Sequence, residues 1–212
     1  MYTVHTSAVK KRQYHHGDLR QGCLAAGLEL LGRRGKGAIS LREVARMCRV
    51  SPRAPYQHFA DKTAFLAALA EEGFKEFGAA LAGARGDLSG LAQAYLDFAA
   101  RRPALMQLMF GNDFRHRARR NPALHRAALA TFEQLQLQVA RLGAGADQRA
   151  SRLLAVNAWA LVHGLSELIR NGQLANVLRE EDDTKAVLEA AVGLFSRSAR
   201  PSRRAKGPER LR

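Results

Sequence analysis

The 212 residues predict an all-α fold, and three observations carry the prediction. Apolar side chains recur at spacings of three and four along most of the chain, the stripe that a one-sided helix needs. No run of β-branched residues alternates with polar ones, so no segment reads as a strand. Breaks at Gly86, Pro103, Gly111, Pro122, Gly143 to Gly145 and Asn171-Gly172 cut the long C-terminal part into five or six pieces of helical length. A hydrophobic content of 47% supplies a sizeable core. No stretch approaches the roughly 18 uninterrupted apolar residues of a membrane span. The N-terminus is polar and lacks an apolar signal region, so a water-soluble, cytoplasmic protein is expected.

Taken in order, the first helix carries Leu19, Cys23, Gly27, Leu30 and Leu31 on one face and is expected to end among Gly32, Gly35 and Gly37. Arg33, Arg34 and Lys36 fall near its negative end, where they either complement the helix dipole or reach phosphate. Ser40 with Glu43 three residues on has capping-box spacing, so a second helix starts near Leu41. Leu41, Val44, Ala45 and Cys48 share one stripe, leaving Arg42, Arg46 and Arg49 to face elsewhere. Ser51 suits an N-cap and Pro52 a first helical position, which predicts a short third helix presenting Arg53, Tyr56, Gln57 and His58. Pro55 falls at its fourth position, where an N–H would otherwise bond the Ser51 carbonyl, so this helix should start tight or bent. Phe59 is assigned to packing. Asp61 then caps a long helix from Lys62 to about Ala84, with Phe65, Leu66, Leu69, Phe77 and Leu81 on its stripe. Lys62 at the positive end of that helix is unfavourable unless an anion docks there.

Two short helices, a tight turn and donors on the second helix form a device for reading DNA in the major groove. The charge distribution agrees. The formal charge of +15 divides into +3 on residues 1–13, −1 on 14–30, +6 on 31–62, +1 on 63–196 and +6 on 197–212. Polyanion binding is therefore expected on the predicted reading unit and the two tails. Residues 1–13, with Lys10, Lys11 and Arg12, read as a disordered basic arm that either follows a groove or only solubilises. Residues 197–212 read as a disordered basic tail.

Arg53-Ala54-Pro55-Tyr56-Gln57-His58-Phe59, followed by Asp61-Lys62, resembles the recognition helix and next helix start of TetR-family regulators. YHHGDLRQGCLAAGLELLGRRG, from Tyr14 to Gly35, is similar to that family's first helix. Trp159, His163 and Gly164 in AWALVHGLSELI match the tryptophan-histidine-glycine signature of one subgroup, and RRPALMQLMFG, Arg101 to Gly111, resembles that subgroup's middle segment. The resemblance implies a helix-turn-helix DNA-binding domain over 14–62, preceded by the arm, and a helical ligand-binding and dimerisation domain over 63–196. It implies DNA contacts from Ser40, Arg42, Ser51, Arg53, Ala54, Tyr56, Gln57, His58 and Lys62. Arg53 and Gln57 would meet base edges, and Tyr56, His58 and Lys62 phosphates. It further implies an effector site in the C-terminal bundle, for which Tyr95, Phe98, Met106, Phe110, Phe132, Trp159 and His163 supply aromatic and adaptable apolar surface. A largely apolar small molecule suits such walls.

The last two helices, roughly 148–171 and 180–198, are too widely apolar for one subunit to cover. Leu153, Val156, Leu161 and Leu168 on the first and Val187, Ala191, Leu194 and Phe195 on the second predict a homodimer through a four-helix bundle, eased by small Ala158, Ala160 and Gly164. A palindromic operator follows from that symmetry. The resulting expectation is a ligand-responsive repressor; the alternative is an activator or an architectural protein that coats DNA without an effector. Cys23 and Cys48 lie on apolar stripes and read as buried reduced thiols. Adjacent His15 and His16 complete no metal site, and no nucleophile motif or glycine-rich phosphate loop occurs. No enzyme activity, metal or cofactor is expected.

Overall fold

The structure, a computed structural model, describes residues 19–84, 87–141, 147–178 and 183–198. The regular elements among these residues are nine α-helices and two 3-10 turns, with no strand. The helices are α1 (Leu19–Arg34), α2 (Leu41–Cys48), α3 (Lys62–Gly83), α4 (Leu88–Arg101), α5 (Pro103–Phe110), α6 (Phe114–Arg120), α7 (Pro122–Arg141), α8 (Gln148–Arg170) and α9 (Thr184–Ser198). The 3-10 turns are Lys36–Ala38 and Ala54–Gln57. The expected arm, the stretch from Tyr14 to Asp18, residues 180–182, the breaks at Gly86 and Gly143 to Gly145, and the tail beyond Ser198 lie outside the described residues. Two compact units divide between Phe65 and Leu66, inside α3.

In the N-terminal unit, α1 buries Cys23, Leu24, Leu30 and Leu31 against Leu41, Val44, Ala45 and Cys48 of α2. Gly32 lies within α1 and does not end it. The stop is Gly35, whose φ of +74° is a left-handed value that favours glycine, and whose N–H closes on the Leu31 carbonyl at 2.9 Å. The Ser40 hydroxyl caps α2 by accepting the Glu43 N–H at 3.1 Å. The Glu43 carboxylate, however, turns forward to Arg46, with contacts of 2.9 and 2.7 Å, in place of reaching back to close the box. That hydrogen bond, with help from Arg34, holds its pKa below the ordinary carboxylate value. Arg49 ends α2 in the left-handed region, φ 57°, and the Val50 N–H returns to the Ala45 carbonyl at 3.1 Å, so a non-glycine residue makes the sharp turn. Cys23 and Cys48 are both buried and share a thiol hydrogen bond, and burial pushes the Cys23 thiol up to about 12. Both stay protonated and inert, as expected of core thiols.

In the C-terminal unit, α3 buries Leu66, Leu69, Phe74, Phe77 and Leu81. Gly73 marks its closest approach: a Cβ there would stand 2.7 Å from Met109 Sδ and 2.9 Å from Leu105 Cδ1 of α5. Asp87 caps α4 through the Ser89 and Gly90 N–H groups, and Asp147 caps α8 through that of Ala150. The helix breaks at Pro103, Gly111, Pro122 and Asn171-Gly172 fall where the sequence puts them. The single buried guanidinium among the described residues, Arg117 of α6, donates to the Leu108 carbonyl at the C-terminal end of α5 and lies 3.5 Å from Asp113. It satisfies an acceptor that the end of a helix otherwise leaves open. No helix among the described residues is long and apolar enough to cross a membrane.

Candidate nucleic-acid interface and effector cavity

The predicted short α-helix from Ser51 is instead a 3-10 turn over Ala54–Gln57. Pro55 is the physical reason. It has no N–H to give the Ser51 carbonyl, and its ring would crowd that carbonyl, so Ser51 is bonded one residue earlier, by the Ala54 N–H at 3.0 Å. Tyr56 N–H to Arg53 and His58 N–H to Pro55 continue the tighter pattern. Pro55 and Phe59 point inward and hold the turn in place. Phe59 packs on Phe65 at 4.8 Å between ring centroids, and the Arg20 guanidinium lies 5.8 Å from the Phe59 ring. Arg53, Tyr56, Gln57 and His58 are left outward, with Ala54 half-buried. In a 3-10 turn residues three apart eclipse, so Ala54 and Gln57 share one edge.

The remaining predicted contacts surround this turn in sequence and in the same unit. Arg42 is exposed on α2, and Ser40 and Ser51 are exposed at the two ends of the α2-turn segment. Asp61 caps α3 by accepting the Ala64 N–H at 2.7 Å, which places Lys62 at the start of α3. Every acid between residues 19 and 65 is already used: Glu29 by Arg33 at 3.1 Å, Glu43 by Arg46 and Arg34, Asp61 by the α3 cap. Arg33 and Arg34 therefore have ion-pair work within the fold. Arg42, Arg49, Arg53 and Lys62 have no acidic partner among the described residues. An exposed set of cations without counter-charge is an electrostatic footprint for a polyanion.

In the C-terminal unit an aromatic cavity of about 350 Å³ lies between α3, α4, α7 and α8, closed by Phe110 and Phe114. Five of the seven predicted ligand residues line it: Tyr95, Phe110, Phe132, Trp159 and His163. The other two do not. Phe98 is fully buried against Phe77 at 4.9 Å, and Met106 borders a separate cleft between α4, α8 and α9. Phe74, Phe114 and Thr131 also line the walls, beyond the residues expected there, although Phe74 and Phe77 are three apart on one helix, a spacing that signals a shared face. Tyr95 and His163, 68 residues apart, meet at 2.7 Å between the phenol oxygen and Nδ1. Burial raises the tyrosine above its usual range and lowers the histidine, with Glu167 opposing and Arg170 reinforcing the second shift.

The lowered histidine pKa has a sign that can be measured. The unfolded chain takes up a proton near the ordinary value of 6.5, whereas folded His163 resists it. The unfolded state thus binds more protons below that value. The stabilisation is complete above pH 6.5 and is lost as pH falls through the folded pKa. Urea midpoints of the wild type should decline over that window more steeply than those of His163→Phe; parallel declines would show that His163 is not held neutral.

Two family models match these two parts of the chain separately, and solved structures match most of its length. Residues 24–69 match the model for bacterial regulatory proteins of the tetR family, and residues 88–195 match the tetracyclin repressor-like C-terminal domain. The chain belongs to the TetR family. A protein with unknown function from Rhodococcus sp. RHA1 is 31% identical, with 89% of this chain and 98% of that one covered and a TM-score of 0.72. A bacterial regulatory protein in the tetR family from Rhodococcus RHA1 shares the fold at 21% identity, with coverages of 86% and 97% and a TM-score of 0.53. So does the multidrug binding protein EbrR complexed with imidazole, at 23% identity, coverages of 86% and 94% and a TM-score of 0.54. No curated protein matches. As a TetR-family member the chain is an all-helical transcriptional regulator, with its DNA-binding unit at the N-terminus and its ligand-binding domain following.

Proposed function

We propose that this regulator is a cytoplasmic, ligand-responsive repressor that holds a palindromic operator as a homodimer. The observation that carries the DNA reading is a set of exposed cations without an acidic partner among the described residues, Arg42, Arg49, Arg53 and Lys62, in the same unit as an outward-facing 3-10 turn. Arg53 and Gln57 take base edges, Tyr56, His58 and Lys62 bond phosphates, and Ser40, Arg42, Ser51 and Ala54 complete the contact surface over 14–62. Supporting the dimer, α8 carries exposed Leu153 and Val156 in line with Ala160 and Gly164, and α9 exposes Leu194. Nothing stands within 4 Å of where a Gly164 Cβ would be, so a partner helix has room to come close. A two-fold pair reads successive major grooves when its reading turns stand about 34–36 Å apart. The effector is a largely apolar molecule held in the aromatic cavity of the 63–196 domain, whose Trp159, His163 and Gly164 resemble the tryptophan-histidine-glycine signature of one subgroup. Its binding shifts α3, which is continuous from the DNA-binding unit into the effector domain, and lowers operator affinity.

Selection from random duplexes, with and without small-molecule extracts, tests this reading. A single palindrome, protected as a sharp footprint and released by an extract, is the expected result. Uniform binding to every duplex would instead indicate a coating protein. On the selected operator, Lys62→Ala should weaken binding to all sequences alike and reduce the salt slope by about 0.9 per lost phosphate contact. Arg53→Ala should cost about 1–3 kcal/mol and relax the preference at one base position. An unchanged salt slope rejects the first role, and an unchanged base preference the second.

A further inference from the structure

Building on the effector reading above, the geometry points to a ligand class: uncharged aromatic molecules with one hydrogen-bond acceptor, which receives the Nε2–H of His163. The cavity walls contain no carboxylate, lysine or arginine. A charged ligand would lose its hydration and find no counter-charge. Three ring pairs of the walls stand edge to face, Phe77 with Tyr95 at 86°, Phe74 with Phe110 at 78° and Tyr95 with His163 at 84°, so several of the ring faces that could attract a cation are taken.

The polar atoms of the walls are few and mostly committed. The Thr131 hydroxyl is spent on backbone carbonyls, Ala127 at 2.9 Å and Phe74 at 3.0 Å. A phenol is a better donor than a neutral imidazole N–H, and an imidazole nitrogen a better acceptor than a phenol oxygen. At 2.7 Å, Tyr95 therefore donates to Nδ1 of His163. Ser166 fixes the same turn of helix from behind, donating to the His163 carbonyl at 2.8 Å. With Nδ1 accepting, the neutral ring carries its proton on Nε2, which has no hydrogen-bond partner among the described residues. His163 is thus a wall donor whose free nitrogen is set by Tyr95; the other N–H of the walls, on the Trp159 indole, is drawn to the Tyr95 phenol.

Calorimetric titration of the full chain with naphthalene, 2-acetonaphthone, indole, 2-naphthoate and 2-naphthylmethylammonium tests this. Wild type should bind 2-acetonaphthone about 3–10-fold more tightly than His163→Phe does, the contribution of one hydrogen bond, with naphthalene unaffected by the change. Both charged probes should bind at least about tenfold more weakly than 2-acetonaphthone. Tyr95→Phe, nearly isosteric, should reduce the preference for 2-acetonaphthone over naphthalene because the imidazole proton is no longer directed; this variant carries the test if His163→Phe does not fold. Naphthalene and 2-acetonaphthone binding equally, a charged probe binding as tightly, or a larger loss for indole than for 2-acetonaphthone on His163→Phe overturns this inference while leaving the effector cavity standing. Binding of no probe overturns the cavity reading and this inference together.

Discussion

Replacing Leu153 and Leu194 together by aspartate is expected to convert the dimer to monomer and abolish measurable operator affinity. Both side chains are more than half exposed in the single chain, at 55% and 62%. Burying what remains open on four leucines per dimer is worth about 3–6 kcal/mol at the usual transfer value. The substitution removes that gain and forces carboxylates to give up water in the bundle, so the loss exceeds the area term. Sedimentation and footprinting check it in parallel. A double variant that stays dimeric would place the interface elsewhere. A monomeric variant that keeps full operator affinity would remove the two-fold geometry from the mechanism.

The second large effect separates packing from function within one aromatic cluster. Phe98→Ala should destabilise the chain by about 3–5 kcal/mol, because the ring is fully buried against Phe77 and leaves a cavity that its neighbours cannot fill. Phe132→Ala should cost much less. That ring is only half-buried and already borders empty space, so its removal enlarges a chamber that exists. Denaturant midpoints should therefore separate the two, while ligand affinity should respond mainly to Phe132→Ala. Equal destabilisation by both would mean that the chamber is closed in solution.

These two phenylalanines also show where sequence reading stops. Ser40, the Leu41-Val44-Ala45-Cys48 stripe, Asp61 and the breaks at Pro103 and Pro122 were legible because capping, periodicity and the missing proline N–H act within one or two turns of the chain. The end of α1 was legible only as a glycine-rich stretch, because glycine is tolerated inside a helix and only the backbone angle singles out Gly35 from Gly32. Pro55 signalled a disturbed start, but the residues that follow it favour neither pattern locally, so the run of i to i+3 bonds from Ala54, Tyr56 and His58 was not legible. Tyr95 and Phe98 stand three apart on α4 and are equally buried. Which of them borders the cavity is decided by α8 packing across from them, a relation carried by residues 68 positions away. Aromatic content announced a cavity, then, but not its walls.

The guanidinium of Arg117, locked onto the last turn of α5, has a mechanical corollary. Phe110 and Phe114 flank that corner, one at the end of α5 and one at the start of α6, and both border the chamber. Prying the corner open would strand a cation and a carbonyl together in a dry interior, so this side of the chamber is the stiff anvil. An effector entering the proposed site would therefore find give in the half-buried rings of Phe132 and Trp159 rather than at this corner.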